Sequence, residues 1–398
     1  MPEGVIYMDH AATTPTDPGV VEAMMPWFTE RFGNPSGVYS LSRQAEEAVE
    51  ASRNTCAELI GAEPEEIYFT SGGTESDNWA LSGAVWAGKK KDRNKIVISA
   101  VEHHAVLEPG EFLQRAGFEL EVIDVDKFGQ VDPEAVREAV DDKTAVVSIM
   151  HANNEVGTIE PIEAIGPIVR EAGALFHVDA VQTVGKIPVN LAELPVDLLS
   201  ASAHKFYGPK GVGFLYIRRG TRLTPYLHGG AQERRSTNPG YTVPGRAGTH
   251  NVPGIVGLAE ACRLASERMA SEAERLYAMA NRIRDEVMEK IPDVIYDGHP
   301  DRRVPGNAHF CFEGLEGEAL LLCLDMNRLC VSSGSACTTG SLDPSHVLTA
   351  MGLPAETAHG SLRITLGHDN TDEDVDILLK TLPTVVARLR TMSPTYKK

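Results

Sequence analysis

Ile67-Tyr68-Phe69-Thr70-Ser71-Gly72-Gly73-Thr74-Glu75-Ser76 carries a short β-rich run through two glycines straight into a helical stretch. β-Rich runs recur at residues 95–100, 120–125, 144–150 and 174–179. Helical stretches, such as 74–88 and 162–171, lie between most of them. Residues 196–201 and 213–217 read as further strands, with Gly208, Pro209 and Gly211 punctuating the link. Strand–helix alternation of this kind predicts an α/β layer built on a mostly parallel sheet. Upstream, Leu41, Ala45, Ala48, Ser52, Cys56, Leu59 and Ile60 fall on one helical stripe. After Asn251 the pattern changes. Residues 254–290 read as one long polar-faced helix, followed by a strand at 307–312, a helix at 317–326 and a strand at 362–366. The last helix opens with Thr371 and Asp374 as a capping box. This second part reads as a smaller α+β domain. Residues 331–345, rich in Ser, Gly and Thr, read as a mobile loop, and 235–244 as a surface loop.

The chain has 398 residues, enough for two or three domains at about 150 residues each. Apolar residues make up 42% and charged residues 23%, as in ordinary soluble globular proteins. Lys plus Arg is 37 against 56 for Asp plus Glu, a net charge of −19. That balance lacks the footprint of a nucleic-acid binder and suits an anionic membrane surface poorly. No run approaches the roughly 18 apolar residues of a membrane helix. Residues 1–9 hold no Lys or Arg and no apolar core, so they do not read as a signal peptide. The six cysteines (56, 262, 311, 323, 330 and 337) contain no CxxC pair, which argues against a disulfide scaffold and against a zinc ribbon. A reducing cytoplasm is expected, with room for a free reactive thiol.

Four segments carry the chemistry. The two glycines before Thr74 let backbone N–H groups turn inward at a helix start, which is a phosphate cradle. The same turn also reads as a well-capped βα connection. It is neither a Walker loop nor a GxGxxG turn. Phe176-His177-Val178-Asp179-Ala180-Val181-Gln182 sets an acid at the C-terminal end of a buried strand, where open α/β sheets bind ligands. Alone, Asp179 also reads as a helix N-cap. Ser200-Ala201-Ser202-Ala203-His204-Lys205-Phe206-Tyr207-Gly208-Pro209 puts a lysine just after another strand. A lone lysine is usually a solvated surface residue, but Asp179 changes its meaning. An acid and a lysine on neighbouring strand ends fit a pyridoxal phosphate site, with lysine as the imine partner and the acid holding the pyridinium proton. The segments SxxK (Ser202 to Lys205) and SDN (Ser76-Asp77-Asn78) also occur in serine acyl-transfer enzymes. Here their order is reversed and no KTG follows, so that reading falls. Finally, Ser332-Ser333-Gly334-Ser335-Ala336-Cys337-Thr338-Thr339-Gly340 surrounds Cys337 with small residues that offer almost nothing apolar to bury it. A thiolate there is a candidate nucleophile. The other five cysteines read as buried structural residues.

Together these segments closely resemble the cysteine desulfurases of the NifS/IscS type, pyridoxal-phosphate enzymes of the class V aminotransferase family. The resemblance runs along nearly the whole chain. It begins at Tyr7-Met8-Asp9-His10-Ala11-Ala12-Thr13-Thr14-Pro15 and Gly33-Asn34-Pro35-Ser36. It continues through Thr70 to Asn78, Glu102-His103-His104-Ala105-Val106-Leu107 and Asn153-Asn154-Glu155-Val156-Gly157. The Asp179 and Lys205 segments, Arg246-Ala247-Gly248-Thr249, the Cys337 loop and Ser361-Leu362-Arg363 complete it in order.

The resemblance implies a fold-type-I architecture with a mostly parallel seven-stranded sheet. It implies a large domain over residues 15–255 and a small domain formed by 1–14 and 256–398. Lys205 is implied to carry the cofactor and then shuttle the Cα proton. Asp179 would pair with the pyridine nitrogen, Gln182 with the ring hydroxyl, and His103 would stack on the ring and assist proton transfer. Gly73, Thr74, Ser202 and His204 would hold the phosphate, with Thr249 reaching the phosphate of the partner subunit in a homodimer. Asn154 would contact cofactor or substrate, and Arg363 would grip the substrate carboxylate. Cys337 would take the sulfur of L-cysteine as a persulfide, releasing L-alanine. The loop form resembles the branch that passes sulfur to a scaffold protein for iron–sulfur clusters, with tRNA thiolation a further outlet. In some relatives this cysteine also ligates a shared [2Fe–2S] cluster. A selenocysteine lyase or another class V β-lyase shares the same cofactor chemistry and is the rival reading. A departure from the family pattern is the added stretch 235–244 between Gly229-Gly230-Ala231-Gln232-Glu233-Arg234 and Arg246, near the site expected for Thr249.

Overall fold

The computed structural model describes residues 4–89, 92–230, 232–233, 245–333, 344–394 and 396. Twelve strands occur among them: β1 (Ile6–Tyr7), β2 (Ile67–Thr70), β3 (Lys95–Ser99), β4 (Glu119–Ile123), β5 (Thr144–Ser148), β6 (Leu175–Asp179), β7 (Leu198–Ser202), β8 (Gly213–Ile217), β9 (Val294–Tyr296), β10 (Asn307–Phe312), β11 (Leu329–Cys330) and β12 (Ser361–Thr365). The β-rich runs of the first half fold as one seven-stranded sheet in the order β2-β8-β7-β6-β5-β3-β4. Neighbours from β7 to β4 are parallel, while β8 runs antiparallel to both β7 and β2. Strands β2, β3, β5, β7 and β8 are buried at every position and β6 at all but Leu175, which their continuous apolar runs require when helices cover both faces. The mostly parallel α/β expectation is met.

The helix Gly73–Gly88 starts two residues beyond β2, after Gly72 at φ 145°. The helix Ser40–Ile60 ends at Gly61, whose φ of 64° closes the last turn. Its buried stripe holds Ala45, Ser52, Cys56 and Ile60, as its spacing predicts, but also Arg53.

The second half forms a smaller antiparallel sheet in the order β12-β10-β9, and β1 pairs with β11 beside it. Even-numbered residues of β10, Ala308, Phe310 and Phe312, enter a core with Leu320, Leu324, Leu362, Ile364 and Leu378. Val252–Lys290 is a single helix that serves both cores. Ile255, Leu258 and Cys262 pack under the large sheet, and Leu276, Ile283 and Val287 pack under the small one. The final helix, Asp372–Met392, opens with the Thr371/Asp374 capping box. Among the described residues, no helix is long and apolar enough to cross a membrane.

Candidate active site

Parallel strands present their C-terminal ends on one edge, and β6 and β7 are adjacent there. Asp179 ends β6, and Lys205 closes the short helical turn Ala203–Lys205 directly after β7. The turn is clamped by the N-terminal segment. Thr14 donates through N and Oγ1 to the carbonyl of His204, at 2.9 and 3.0 Å, and its Oγ1 accepts from Tyr207 N at 2.7 Å. These bonds support Tyr207 at φ 66°, a conformation costly for a residue with a side chain. Lys205 Nζ donates to the carbonyls of Ala11 and Ala12, at 2.7 and 2.8 Å.

Asp179 is buried, and its Oδ1 accepts from Val181 N at 2.9 Å. Burial pushes its carboxyl up to about 6, against the pull of that N–H and of Lys205. A carboxylate in this position is therefore expensive until a cationic N–H meets it. Behind it lie two further buried acids. Burial first, and then the charge of Asp179, hold Asp77 well above the usual carboxylate range. Glu102 is also raised by burial, although Ser99 Oγ and Met150 N lie on its Oε1 at 2.6 and 2.8 Å. Three strand residues extend this polar layer, because His177 meets Ser148 Oγ at 2.8 Å and Ser200 Oγ at 3.0 Å.

Gln182 donates from Nε2 to Ala11 O at 3.0 Å and accepts from Lys186 Nζ at 3.2 Å. Lysine has no acceptor, so it fixes which end of the amide carries the donor. Burial lowers Lys186 to about 7, helped by the charges of Lys205 and Arg363. His103 caps the helix His104–Arg115 by accepting from Ala105 N at 3.1 Å on Nδ1, which leaves its proton on Nε2. Burial, then Lys205, lowers it to about 4, so it is neutral near pH 7. His204 lies 3.1 Å from Thr13 Oγ1 and is likewise lowered to about 4 by burial.

Gly73 leaves no room for a side chain, and Gly72 holds a positive φ that side chains rarely adopt. A Cβ on Gly73 would stand 2.7 Å from Val181 Cγ2, and one on Gly72 would stand 3.4 Å from Ser202 Oγ. The turn, β7 and the Asp179 segment thus meet at one helix N-terminus. Thr74 and His103 also line an open cleft together with Asn78, His104 and Tyr226.

Arg363 comes from β12 of the small sheet and is almost fully buried. It donates to Asn154 O at 2.8 Å and to Asp9 Oδ1 at 2.9 Å. Asn154 is thereby brought to Arg363 through its main chain. Ser332, at the start of the Cys337 segment, pairs with the backbone of Arg363 in both directions, at 2.7 and 3.1 Å. Cys337 itself lies outside the described residues. So does all of 235–244, between the described Glu233 and Gly245. Thr249 is exposed, on a segment tied down by Arg246, which pairs with both oxygens of Glu75 at 2.8 and 3.0 Å. Of the cysteines expected to be buried, Cys56, Cys262 and Cys311 are, while Cys323 and Cys330 are only partly covered.

Sequence reasoning missed Asp77, Glu102, Lys186 and the role of Asp9. All four stand inside or beside the quoted motifs, but nothing local marks an acid or lysine as buried.

The sequence matches the Aminotransferase class-V family over residues 6–378. It is 48% identical over 394 residues to Cysteine desulfurase IscS of Clostridium botulinum, covering 98% of this chain and 97% of that protein. It is 49% identical over 393 residues to Cysteine desulfurase IscS of Methanosarcina thermophila, covering 99% and 95%. Among solved structures, a NifS-like protein superposes with a TM-score of 0.88 at 38% identity, over 97% of this chain and all of that one. The structure described as SspA in complex with cysteine gives 0.77 at 35% identity, over 90% of this chain and 98% of that one.

Proposed function

The chain belongs to the class-V aminotransferase family, among its cysteine desulfurases, and from that premise we propose how its own residues divide the work. It converts L-cysteine to L-alanine and transfers the sulfur to an enzyme thiol as a persulfide, for iron–sulfur cluster assembly. The observation that carries this reading is the meeting of Lys205, Asp179 and Gln182 at one strand edge, with Arg363 reaching in from the other sheet.

Pyridoxal phosphate fits the residues present. The buried, raised carboxyl of Asp179 lacks a cationic partner of the kind a pyridinium N–H supplies, and the crowded glycine turn suits a phosphate. Gly73, Thr74, Ser202 and His204 would hold the phosphate. Asp179 would keep a proton on the ring nitrogen, Gln182 would donate to the ring oxygen, and His103 would cover the ring. When bound, the cofactor supplies an electron-withdrawing ring that takes up negative charge from the substrate Cα. Lys205 would leave the carbonyls of Ala11 and Ala12 and move the Cα proton. Arg363 would bind the substrate carboxylate with its remaining donors, beside Asn154. Cys337 would attack the substrate sulfur and carry it away, and a shared [2Fe–2S] cluster would find its ligand in the same thiol.

We divide the chain into a large domain, 15–255, and a small one made of 1–14 and 256–398, because the long helix changes cores along its length. A homodimer is supported by exposed Phe28, Phe32, Val38 and Tyr39, a set of large side chains that a second copy would cover. Thr249 would then reach the other copy's phosphate. The five described cysteines are free, which suits a reducing cytoplasm. The sulfur acceptor would be a scaffold protein.

Alanine release from L-cysteine, measured with pyridoxal phosphate and a reductant, tests the assignment. Wild type is expected to yield alanine matched by sulfide, and Cys337→Ser to yield neither. Alanine that survives in Cys337→Ser would mean a β-lyase working without a persulfide. Faster turnover of selenocysteine than of cysteine would favour the lyase reading.

A further inference from the structure

Register places a second cluster behind the substrate arginine. In the small sheet, His309 of β10 stands opposite Arg363 of β12, and Asp297, just past β9, donates its N–H to the carbonyl of His309 at 3.0 Å. Asp297, His309 and Arg363 therefore form a row across the sheet. Cys311 lies two residues along β10, on the same face as His309. Asp297 is 2% exposed, and His309 and Cys311 are fully buried. One ligand atom from each lies within 4.8 Å of the others.

We propose that Asp297, His309 and Cys311 form a buried divalent-cation site, with zinc the metal best suited to it. Carboxylate, imidazole and thiolate are the three donor types that zinc takes, at about 2.0–2.3 Å. The chemistry of the cluster without a cation is awkward. His309 Nδ1 meets Asp297 Oδ2 at 2.8 Å and the Cys311 thiol leans on the same carboxylate, while His309 Nε2 is buried with no hydrogen-bond partner among the described residues. The neighbouring arginines serve other groups. Arg303 donates to the main-chain carbonyl of Asp297 and to Asn307, and Arg363 donates to Asp9 and Asn154. Burial, and next the Asp297 carboxylate, push the Cys311 thiol far above its usual range, so it stays protonated.

A divalent ion takes the place of the protons that these three side chains share. The thiol gives up one proton to solvent, and the imidazole moves its own proton from Nδ1 to Nε2. The charge of the ion then equals that of one thiolate and one carboxylate, and a neutral cluster is the kind a buried site tolerates. Separating His309 from Asp297 by roughly half an ångström makes room for the metal bonds. Three protein ligands leave a fourth position for water.

The test uses the full, cofactor-loaded enzyme, expressed in cobalt- or zinc-supplemented medium and dialysed free of excess metal. Elemental analysis should find one metal per chain in wild type, and the cobalt form should show a sulfur-to-cobalt charge-transfer band. Both should be lost in Cys311→Ser and His309→Asn but kept in Cys337→Ser. Asp297→Asn, which preserves the side-chain shape, should lower metal affinity by about tenfold or more and abolish the rise in unfolding temperature that zinc gives wild type. Wild type without metal would overturn the proposal. So would a charge-transfer band that disappears in Cys337→Ser and persists in Cys311→Ser.

Discussion

Asp9 holds Arg363 in place: its Oδ1 lies 2.9 Å from Nη2 of a guanidinium that is only 2% exposed. The acid comes from the N-terminal segment whose next residues, Ala11 and Ala12, receive Lys205. One short stretch therefore orients both the proposed substrate anchor and the proposed base. Charge-assisted bonds of this kind contribute about 1.5–3 kcal/mol. Asp9→Asn is expected to raise KM for L-cysteine roughly tenfold while leaving the bound-cofactor absorbance intact. Steady-state kinetics with L-cysteine measure this, and an unchanged KM would mean that Asn154 alone positions the arginine. Arg363→Lys, which loses the planar fork, is expected to cost more in kcat/KM than Asp9→Asn does.

Lys205 and Asp179 are separable by experiment. Lys205→Ala is expected to remove both the visible absorbance of the bound cofactor and turnover. Asp179→Asn keeps a bond from Val181 but cannot hold a ring proton as an anion does. It is expected to retain cofactor yet lower kcat by about a hundredfold or more. Absorbance spectra and alanine release, taken on the same samples, check the pair. Desulfuration by Lys205→Ala would overturn the site.

Arg53 sits in the core of the large sheet, with Nη1 at 3.0 Å from Glu233 and also bonded to the carbonyl of Ile67. Its guanidinium lies over Phe69, 4.7 Å from the ring centre, and His250 takes the other oxygen of Glu233 at 3.1 Å. Glu50 stands 3.5 Å from Arg53 Nε, so removing Glu233 leaves the buried guanidinium with one partly exposed acid. Glu233→Ala is expected to cost about 3–5 kcal/mol, and the double variant Arg53→Met/Glu233→Leu less than Glu233→Ala alone. Urea unfolding of the variants decides, and a mild loss in Glu233→Ala would show that Glu50 suffices to hold Arg53.

Glu160 gives a pH dependence of stability with a definite sign. Its Oε2 accepts from Val131 N at 2.8 Å, its Oε1 has no partner, and burial pushes the carboxyl from 4.5 up to about 8. Below about pH 4.5 the group is protonated both folded and unfolded, and costs nothing. As pH rises toward 8, the unfolded chain gains the ionised form that the folded chain resists, so stability falls. Glu160→Gln can still accept from Val131 and has no charge to desolvate. The stability of wild type relative to this variant is expected to drop between pH 5 and 8.5. Parallel urea midpoints across that range would contradict the assignment.

Local sequence determined much of this protein. The β-rich runs, the glycine turn before Thr74, the 3.6-residue stripe of Ser40–Ile60 and the Thr371/Asp374 cap are written in neighbouring residues, and the structure has each of them. Lys205 and Asp179 were also legible, because each follows or ends a strand, and parallel strands present those ends together. Short elements were not legible. β1, β9 and β11 have two or three residues, too few to show a period, and exist only because a neighbour pairs with them. Nor does any local pattern reveal that β8 enters the sheet antiparallel between β2 and β7. The charged interior was decided at the tertiary level. Arg53 reads as one more polar residue on a helix until Glu233, from 180 positions away, meets it. Asp9 finds Arg363 from the other end of the chain, and Asp297, His309 and Cys311 become a cluster only through the register of β9 and β10. Periodicity encodes which face of an element is buried. Which charges share that buried face depends on long-range pairing, and the cost of desolvation makes those pairings specific.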